Sequence, residues 1–429
     1  MLSAQSRPYI DASVPVLRAH GEAITRRFYA NLFLAHPALK NMFNMANQAS
    51  GVQQQSLAAA VFAYAANIDN ADALAPVIAR IVHKHVSLGV RAEHYPIVGE
   101  FLLGAIQQVL GEAATPALID AWGEAYGLLA DHLIETERQL YASAGIVAGA
   151  MFAMTVHEIE DVGGDVRSFM LVNADGSPVP MFKPGQYVSV AIDFDDGHRQ
   201  LRQYSLSDAP DVGHLRISVK REQASNAGPA GEVSAYLHDR VRVGSVLQVS
   251  VPFGEFVPDV ESDEPIVLLS AGIGITPMIS VLNDIARTQP ERRVLFAHAN
   301  SSLQFAHRRD LFAAAASMPN LKAVVFIRPF EGNSPASGNM VSVSAEAVPG
   351  AEVDLGRSVA TNRGCIEYHG ADLTVAGLPD WPLLQSSIYL CGSRVFLREL
   401  WANLIDAGVA QKQMHREVFG PELLEALVK

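Results

Sequence analysis

Cysteine is nearly missing from this 429-residue chain, with only Cys365 and Cys391 present. Two thiols cannot staple a chain of this length, so its stability must come from a packed core, and the composition suits a reducing compartment. Long apolar runs are missing too. The most apolar stretch, AGIVAGAMFAMTV from Ala144 to Val156, falls short of the roughly 20 residues that a membrane-spanning helix needs. It reads as a helix end passing into a strand. No signal peptide is read before the first polar residues, and a soluble cytoplasmic protein without a membrane span is expected. Positive charge is in deficit: 32 Lys and Arg against 45 Asp and Glu leave a net charge of −13. Such a surface is poor at neutralising phosphates, which makes nucleic acid an unsuitable partner and favours small molecules. No internal repeat is found.

What is there is a packed globular composition, 49% apolar and 18% charged, with a length of about three domains. Residues 1–148 carry helical periodicity almost throughout, so the first domain is expected to be all α. Residues 149–260 change to short alternating runs such as QYVSVAID, HLRISVK and SVLQVSV between Gly, Pro and Asp turns, the pattern of a small antiparallel barrel or sandwich, of which the β-barrel is expected here. Residues 261–429 change again. PIVLLSA, RRVLFAHA, LKAVVFIRP and SSIYLCGS are strands of the buried kind, several followed by amphipathic stretches, which predicts an α/β domain on a parallel sheet. The stretch from Gly332 to about Gly377 is low in pattern and reads as a long surface insertion.

Within the helical domain, RIVHKHVSLG (Arg80 to Gly89) holds two histidines. At about 100° per residue, Ile81, Val82 and Leu88 surround His85, which faces the core, whereas Arg80, Lys84 and Ser87 surround His83, which faces solvent. An inward histidine is either a core residue satisfied by a backbone carbonyl or a ligand of iron or zinc, and ligation calls for an orienting partner on the second ring nitrogen. HLIETERQLY offers one. Glu137 has Leu133, Ile134, Leu140 and Tyr141 as helical neighbours, while Glu135 has Asp131, His132, Arg138 and Gln139. A carboxylate on an apolar face is costly unless it is hydrogen-bonded. Tyr95, ten positions after His85, can complete a His, Tyr, Glu relay behind a ligand-binding centre.

In the barrel domain, LRQYSLS alternates so that Arg202 and Tyr204 share one face and Gln203 and Ser205 the other. A solvated barrel strand explains this, and so does flavin binding: a tyrosine ring against the isoalloxazine, a hydroxyl at its polar edge, a guanidinium fork for pyrophosphate. Tyr187 of KPGQY adds a second ring, and GEVS (Gly231 to Ser234) leads into a short helix whose N–H groups suit phosphate. In the α/β domain, a buried strand runs into Gly272, Ile273, Gly274, Ile275, Thr276 and Pro277. Thr276 is expected as N-cap and Pro277 at the first helical position, a turn that lets a pyrophosphate approach. The third glycine of the GxGxxG fingerprint is lacking. Cys391 either lies near a nicotinamide or serves as a small buried hydrophobe. Arg308 and Arg309 are either contacts for a ribose 2′-phosphate or plain surface charge.

RRFYANLF, NMFNMANQ, GVQQQSL, KHVSLGVRAEHYPIVGEFLLGAI and DAWGEAYGLLADHLI together resemble the globin domain of the flavohaemoglobins. LRQYSL, SAGIGITPM and EVFGP resemble their reductase half, in the same order, and GxGxTP with YLCGS resembles the nicotinamide domain of the ferredoxin-reductase type. The resemblance implies haem b held by His85, with Tyr29 and Gln53 donating to bound O₂, Phe43 wedging the haem and Leu57 crowding the ligand. Only the resemblance selects Gln53 over Gln54 and Gln55. It implies that Tyr95 and Glu137 polarise the His85 N–H and that Lys84 tunes the iron's potential. It also brings Glu417 and Phe419 of Glu417-Val418-Phe419-Gly420-Pro421 toward FAD, with Val418 where many relatives have Cys and Ala235 where many have Asn.

These implications make chemical sense as a relay, since nicotinamide gives two electrons as hydride, haem iron takes one at a time and a flavin does both. The expected protein is a monomeric NAD(P)H-dependent nitric oxide dioxygenase that turns NO and O₂ into nitrate. Two rivals stand beside it: a flavin reductase of other acceptors carrying a passenger globin, and an oxygen-binding or sensing globin whose reductase keeps the iron ferrous.

Overall fold

The computed structural model describes residues 2–43, 70–224, 229–327, 358–360 and 365–420, together with residues 57, 60, 61, 64, 65, 67 and 68. Its first third is helical: α1 (Arg7–Ala35), a 3₁₀ segment (Pro37–Met42), α2 (Ala71–Leu88), α3 (His94–Leu110) and α4 (Pro116–Ser143). Along α1 the buried side chains Ile10, Leu17, Ile24, Phe28 and Leu32 recur every four or seven positions, the stripe that a packed helix needs. The start of α4 is fixed by Thr115, whose side chain accepts from the Leu118 N–H, and by Pro116 just inside the helix; both suit a first turn with unbonded N–H groups. Trp122 on α4 donates to Ser13 Oγ on α1 at 2.9 Å. That bond lets a large ring be buried without an orphaned donor.

The apolar stretch Ala144 to Val156 contains no helix, contrary to the expected helix end: α4 stops at Ser143, eight residues of turn and loop follow, and only the last five residues of the stretch enter a strand, β1 (Phe152–Gly163). Gly145 and Gly149 in it have φ of +66° and +79°. β1, β2 (Val166–Asn173), β3 (Tyr187–Asp193), β4 (Arg199–Ser205), β5 (Leu215–Lys220) and β6 (Val246–Val249) form an antiparallel sheet in the order β4-β3-β6-β1-β2-β5. A bridge between Leu206 and Ile217 brings its two edges together. One face encloses Val156, Phe169, Val188, Ile217 and Val249, and α5 (Glu232–Arg240) packs by β4 and β5.

The last third holds a seven-stranded sheet in the order β10-β11-β9-β8-β7-β12-β13, parallel except for the β10–β11 pair. Its strands are β7 (Ile266–Ala271), β8 (Val294–Asn300), β9 (Leu321–Ile327), β10 (Ser358–Ala360), β11 (Cys365–His369), β12 (Ser387–Gly392) and β13 (Met414–Val418). Helices α6 (Ile275–Thr288) and α7 (Arg308–Ser317) cover one face, and α8 (Arg394–Asp406) covers the other. Burial on both faces is why β7 and β8 read as continuous apolar runs.

One expectation needs correction. The stretch from Gly332 to about Gly377 is not all surface insertion, because β10 and β11 lie within it and β11 pairs in parallel with β9. Ile366 and Tyr368 of β11 are 0% and 2% exposed. A five-residue strand between low-complexity flanks carries too little periodic signal to show in sequence.

Candidate functional site

On α2, His85 lies between the buried Val82 and Val86. Its Nδ1 is 2.8 Å from Glu137 Oε1 on α4 and 3.0 Å from the Tyr95 hydroxyl on α3, and Tyr95 donates to the same Glu137 oxygen at 2.5 Å. Glu137 is 3% exposed. An ionised carboxylate only accepts, so the His85 proton belongs on Nδ1 and the Nε2 lone pair is left over. Among the described residues Nε2 has no hydrogen-bond partner. Burial, reinforced by the Glu137 charge, holds the Tyr95 phenol far above its ordinary range, so it remains a donor. Tyr126 donates to the Tyr95 carbonyl at 2.7 Å. Its ring edge lies where a Cβ on Gly99 would stand, 2.6 Å away.

That donor set fits a haem iron: an imidazole oriented from behind by a carboxylate, with an unbonded nitrogen in front. On the far side of α1, Tyr29 is 4% exposed and packs with Phe28, Phe33 and Phe43, its ring 4.8 Å from Phe28 and 5.6 Å from Phe43. Leu57 packs against the same cluster. Tyr126 touches both this cluster and that of His85. Gln53 lies outside the described residues, as does Pro421.

The face of α2 beside His85 is a seam with the barrel. Lys84 Nζ donates to Gln203 Oε1, and Gln203 Nε2 donates to Ser189 Oγ at 3.1 Å. Burial and the Arg202 charge pull the Lys84 ammonium down to about 8, against the opposing pull of Glu417. His83 does not face solvent as its helical neighbours suggested; its Nδ1 accepts from the Gly254 N–H at 3.0 Å. Polar helix neighbours are as compatible with a domain seam as with water, and only tertiary structure separates the two. Tyr187 is buried in the same cluster as Val82, Val86 and Phe253, and burial raises its phenol. The backbone helps: Gly89 has φ +75°, and a Cβ there would stand 2.6 Å from Gly149 Cα.

On β4, Arg202 and Tyr204 share a face and Gln203 and Ser205 the other, as period-two alternation requires. Arg202 donates to the Leu201 carbonyl at 2.7 Å and to Gln200 Oε1 at 3.0 Å, and Tyr204 packs on the barrel core. α5 begins at Glu232, with Gly231 as its N-cap, two residues before the expected start.

In the α/β unit, Gly272 has φ +54°, and Gly272–Gly274 forms a 3₁₀ turn into α6. A Cβ on Gly274 would stand 2.3 Å from the Cys391 carbonyl oxygen. Thr276 is not the N-cap. Gly274 is, and the Thr276 hydroxyl donates to the Ile273 carbonyl at 3.0 Å. Ile275, Thr276 and Pro277 therefore all lie inside the first helical turn. A glycine turn closed down on a strand end, followed by unbonded helix N–H groups, fits a pyrophosphate. Cys391 is 0% exposed, and burial with the Glu417 charge raises its thiol. Glu417 pairs beside Cys391 on β13, Val418 packs on the core below, and Phe419 is 44% exposed before Gly420, whose φ is +112°. Arg309 is paired with Glu160 of the barrel at 2.9 Å, and Arg308 lies over the Phe312 ring.

Sequence reasoning missed His83, Ser189, Tyr126 and Gly254 as members of this arrangement. None carries a local signal, because each acts through a residue at least 14 positions away.

A histidine relay in a helical unit, coupled through a polar seam to a flavin-type barrel and a parallel sheet, defines a haem protein joined to a reductase. The globin family model matches residues 26–133, and the oxidoreductase FAD-binding domain model matches residues 153–257. The chain is 44% identical to the flavohemoprotein of Bordetella parapertussis over 98% of its length and 99% of the relative's. It is 42% identical to that of Rhizobium meliloti over 99% of both. The crystal structure of flavohemoglobin from Malassezia yamatoensis with bound FAD and heme matches at TM-score 0.79 and 27% identity, covering 98% of this chain and all of that one. The FAD/NAD binding domain of nitric oxide dioxygenase from Vibrio cholerae matches at TM-score 0.51 and 30% identity, over 63% of this chain and 99% of that one. The chain belongs to the flavohaemoprotein family, a globin followed by an FAD/NAD oxidoreductase.

Proposed function

We propose that this flavohaemoprotein is an NAD(P)H-dependent nitric oxide dioxygenase, working as a cytoplasmic monomer with its three units at 1–148, 149–260 and 261–429. When bound, haem supplies the iron at which O₂ and NO combine to nitrate, and FAD supplies the passage from hydride to single electrons. The observation that carries this reading is the buried carboxylate of Glu137, which accepts from both Tyr95 and His85 Nδ1. A globin that only stores oxygen has no need to bury a carboxylate behind its ligand.

Each residue has a task in this reading. Glu137 holds the Nδ1 proton and loads electron density onto Nε2 of His85, while Tyr95 fixes the carboxylate. Tyr29 and Gln53 would supply hydrogen-bond donors to O₂, Phe43 and Leu57 would shape the pocket, and Lys84 would tune the iron's potential. Tyr204, Tyr187, Gln203, Ser205 and Arg202 would hold FAD, together with Glu417, Val418, Phe419, Gly420 and Pro421. Gly272 to Pro277 receive the NAD(P)H pyrophosphate.

The test adds NO to aerobic holoprotein with NADH or NADPH and follows nucleotide oxidation and nitrate together. Nitrate forming in step with nucleotide loss is expected. Tyr29→Phe should speed O₂ release and slow nitrate formation about tenfold, the loss of ~1.4 kcal/mol of oxygen stabilisation. Nucleotide oxidation by haem-free protein at the same rate, or tight O₂ retention without nitrate, overturns the reading.

A further inference from the structure

The barrel and the α/β unit meet at a buried polar network that the relay above does not use. Three residues past the end of β4, Asp208 is gripped by one face of α6. Its carbonyl accepts from Ser280 Oγ at 2.7 Å, and its Oδ1 accepts from Asn283 Nδ2 at 3.0 Å. One helical turn on, Arg287 donates to the Pro210 carbonyl at 2.7 Å. Ser280, Asn283 and Arg287 are three and four apart, so a single stripe of α6 holds the 208–210 segment.

Asn283 also donates to Asp310 Oδ1 at 2.9 Å, so its one amide group spends both protons on two carboxylates from different units. Arg216 on β5, 6% exposed, lies between the same two acids, 3.6 Å from Asp208 and 2.8 Å from Asp310. Every member has a partner within the network, and Ser280 and Arg216 are buried, so the bonds reinforce one another across the junction.

What the network joins is telling. Asp208 follows directly on the strand that carries Arg202, Tyr204 and Ser205, and α6 is the helix that opens with the Gly272–Gly274 turn. We propose that Asn283 and Asp208 are positioning residues for hydride transfer, holding the nicotinamide-binding helix at a fixed distance from the flavin-binding strand. This rests on the reading of the two cofactor sites given above. In the step concerned, the C–H bond of the reduced nicotinamide breaks, an N–H bond forms on the flavin, and the electron pair moves with the hydrogen, oxidising the first and reducing the second. Such a step tolerates little misplacement; a 1 Å error from a remote substitution costs on the order of a hundredfold.

The experiment uses FAD- and haem-loaded Asn283→Leu, which keeps the volume and removes both donors. Flavin reduction is followed by stopped flow with NADH and with NADH deuterated at the transferred position. The expected result is a rate at saturating NADH at least tenfold lower, a larger isotope effect, a KM within twofold of the parent and an unchanged Soret spectrum. A structural role alone would lower FAD occupancy or raise KM and leave the isotope effect as it was. An unchanged rate at full FAD occupancy, or a loss wholly in KM, overturns the proposal. Ser280→Ala, a smaller change, should slow the same step about threefold, and it decides the matter if Asn283→Leu does not retain FAD. The parent protein is the separate control: if neither NADH nor NADPH reduces its flavin, the cofactor reading itself falls, and the positioning role with it.

Discussion

Two residues carry sharp expectations because of what surrounds them. Glu137 accepts from Tyr95 and His85 Nδ1 in the relay; Glu137→Gln keeps the shape and replaces the carboxylate by an amide. The haem potential should rise by about 60 mV, the one-electron equivalent of a tenfold change in equilibrium, as read by spectroelectrochemistry. A potential unchanged within error would show that the carboxylate does not act on iron. His298 on β8 is the second case. It is fully buried, bonded at Nδ1 to Ser270 Oγ at 2.9 Å, with no partner for Nε2 among the described residues, and burial pulls its imidazole down to about 3. The native state keeps it neutral while the unfolded chain protonates it near the ordinary value of about 6.5. Its stabilising contribution is therefore complete above that value, falls as pH drops through the window, and is gone below about 3. Urea midpoints should decline over that window on acidification. His298→Leu should flatten the decline, and an equal slope in both proteins would contradict the assignment.

At the scale of elements, the turns decide more than the helices they join. Gly274 is a tight point, since a methyl group would overlap the Cys391 carbonyl oxygen, which belongs to backbone and cannot swing away. Gly274→Ala should cost about 3 kcal/mol, the upper end for overpacking a close-packed site, visible as a lower melting temperature. Its KM for nucleotide should rise as the α6 turn is displaced. A variant with parental stability would mean that the turn gives way easily. The helical elements were legible in sequence because their apolar stripes are long and strict, and so was the inward face of His85. The start of α6 was not. Ser or Thr before Pro imitates an N-cap, yet here the glycine turn begins the helix early and Thr276 becomes an interior residue. β11 escaped for a different reason, being short and bounded by low-complexity sequence.

For the whole molecule, electron flow depends on how the globin meets the reductase. The contact combines polar bonds, Lys84 to Gln203, His83 to Gly254, and Asn41 Oδ1 accepting from the Arg199 N–H at 3.3 Å, with apolar packing of Tyr187 and Phe253 on Val82 and Val86. Lys84→Met keeps most of the side-chain length and loses the donor and the charge. Stopped-flow traces should show flavin reduction by NADH unchanged and the following haem reduction slowed about tenfold, or ~1.4 kcal/mol of barrier. If both phases keep their rates, Lys84 is packing only. No helix among the described residues is long and apolar enough to cross a membrane.

The sequence alone determined the order of the three architectures, the inward histidine, the buried carboxylate and the glycine turn. All of these are written in short-range periodicity and turn chemistry, which the chain must obey locally before it folds. Tertiary structure alone decided that His83 faces a domain rather than water, that Tyr95 and Glu137 meet on one imidazole nitrogen, and that Asn283 bridges two acids from separate units. Those facts depend on which surfaces come together, and hydrogen bonds between residues 10 to 171 positions apart on different elements leave no periodic trace in a chain read one residue after another.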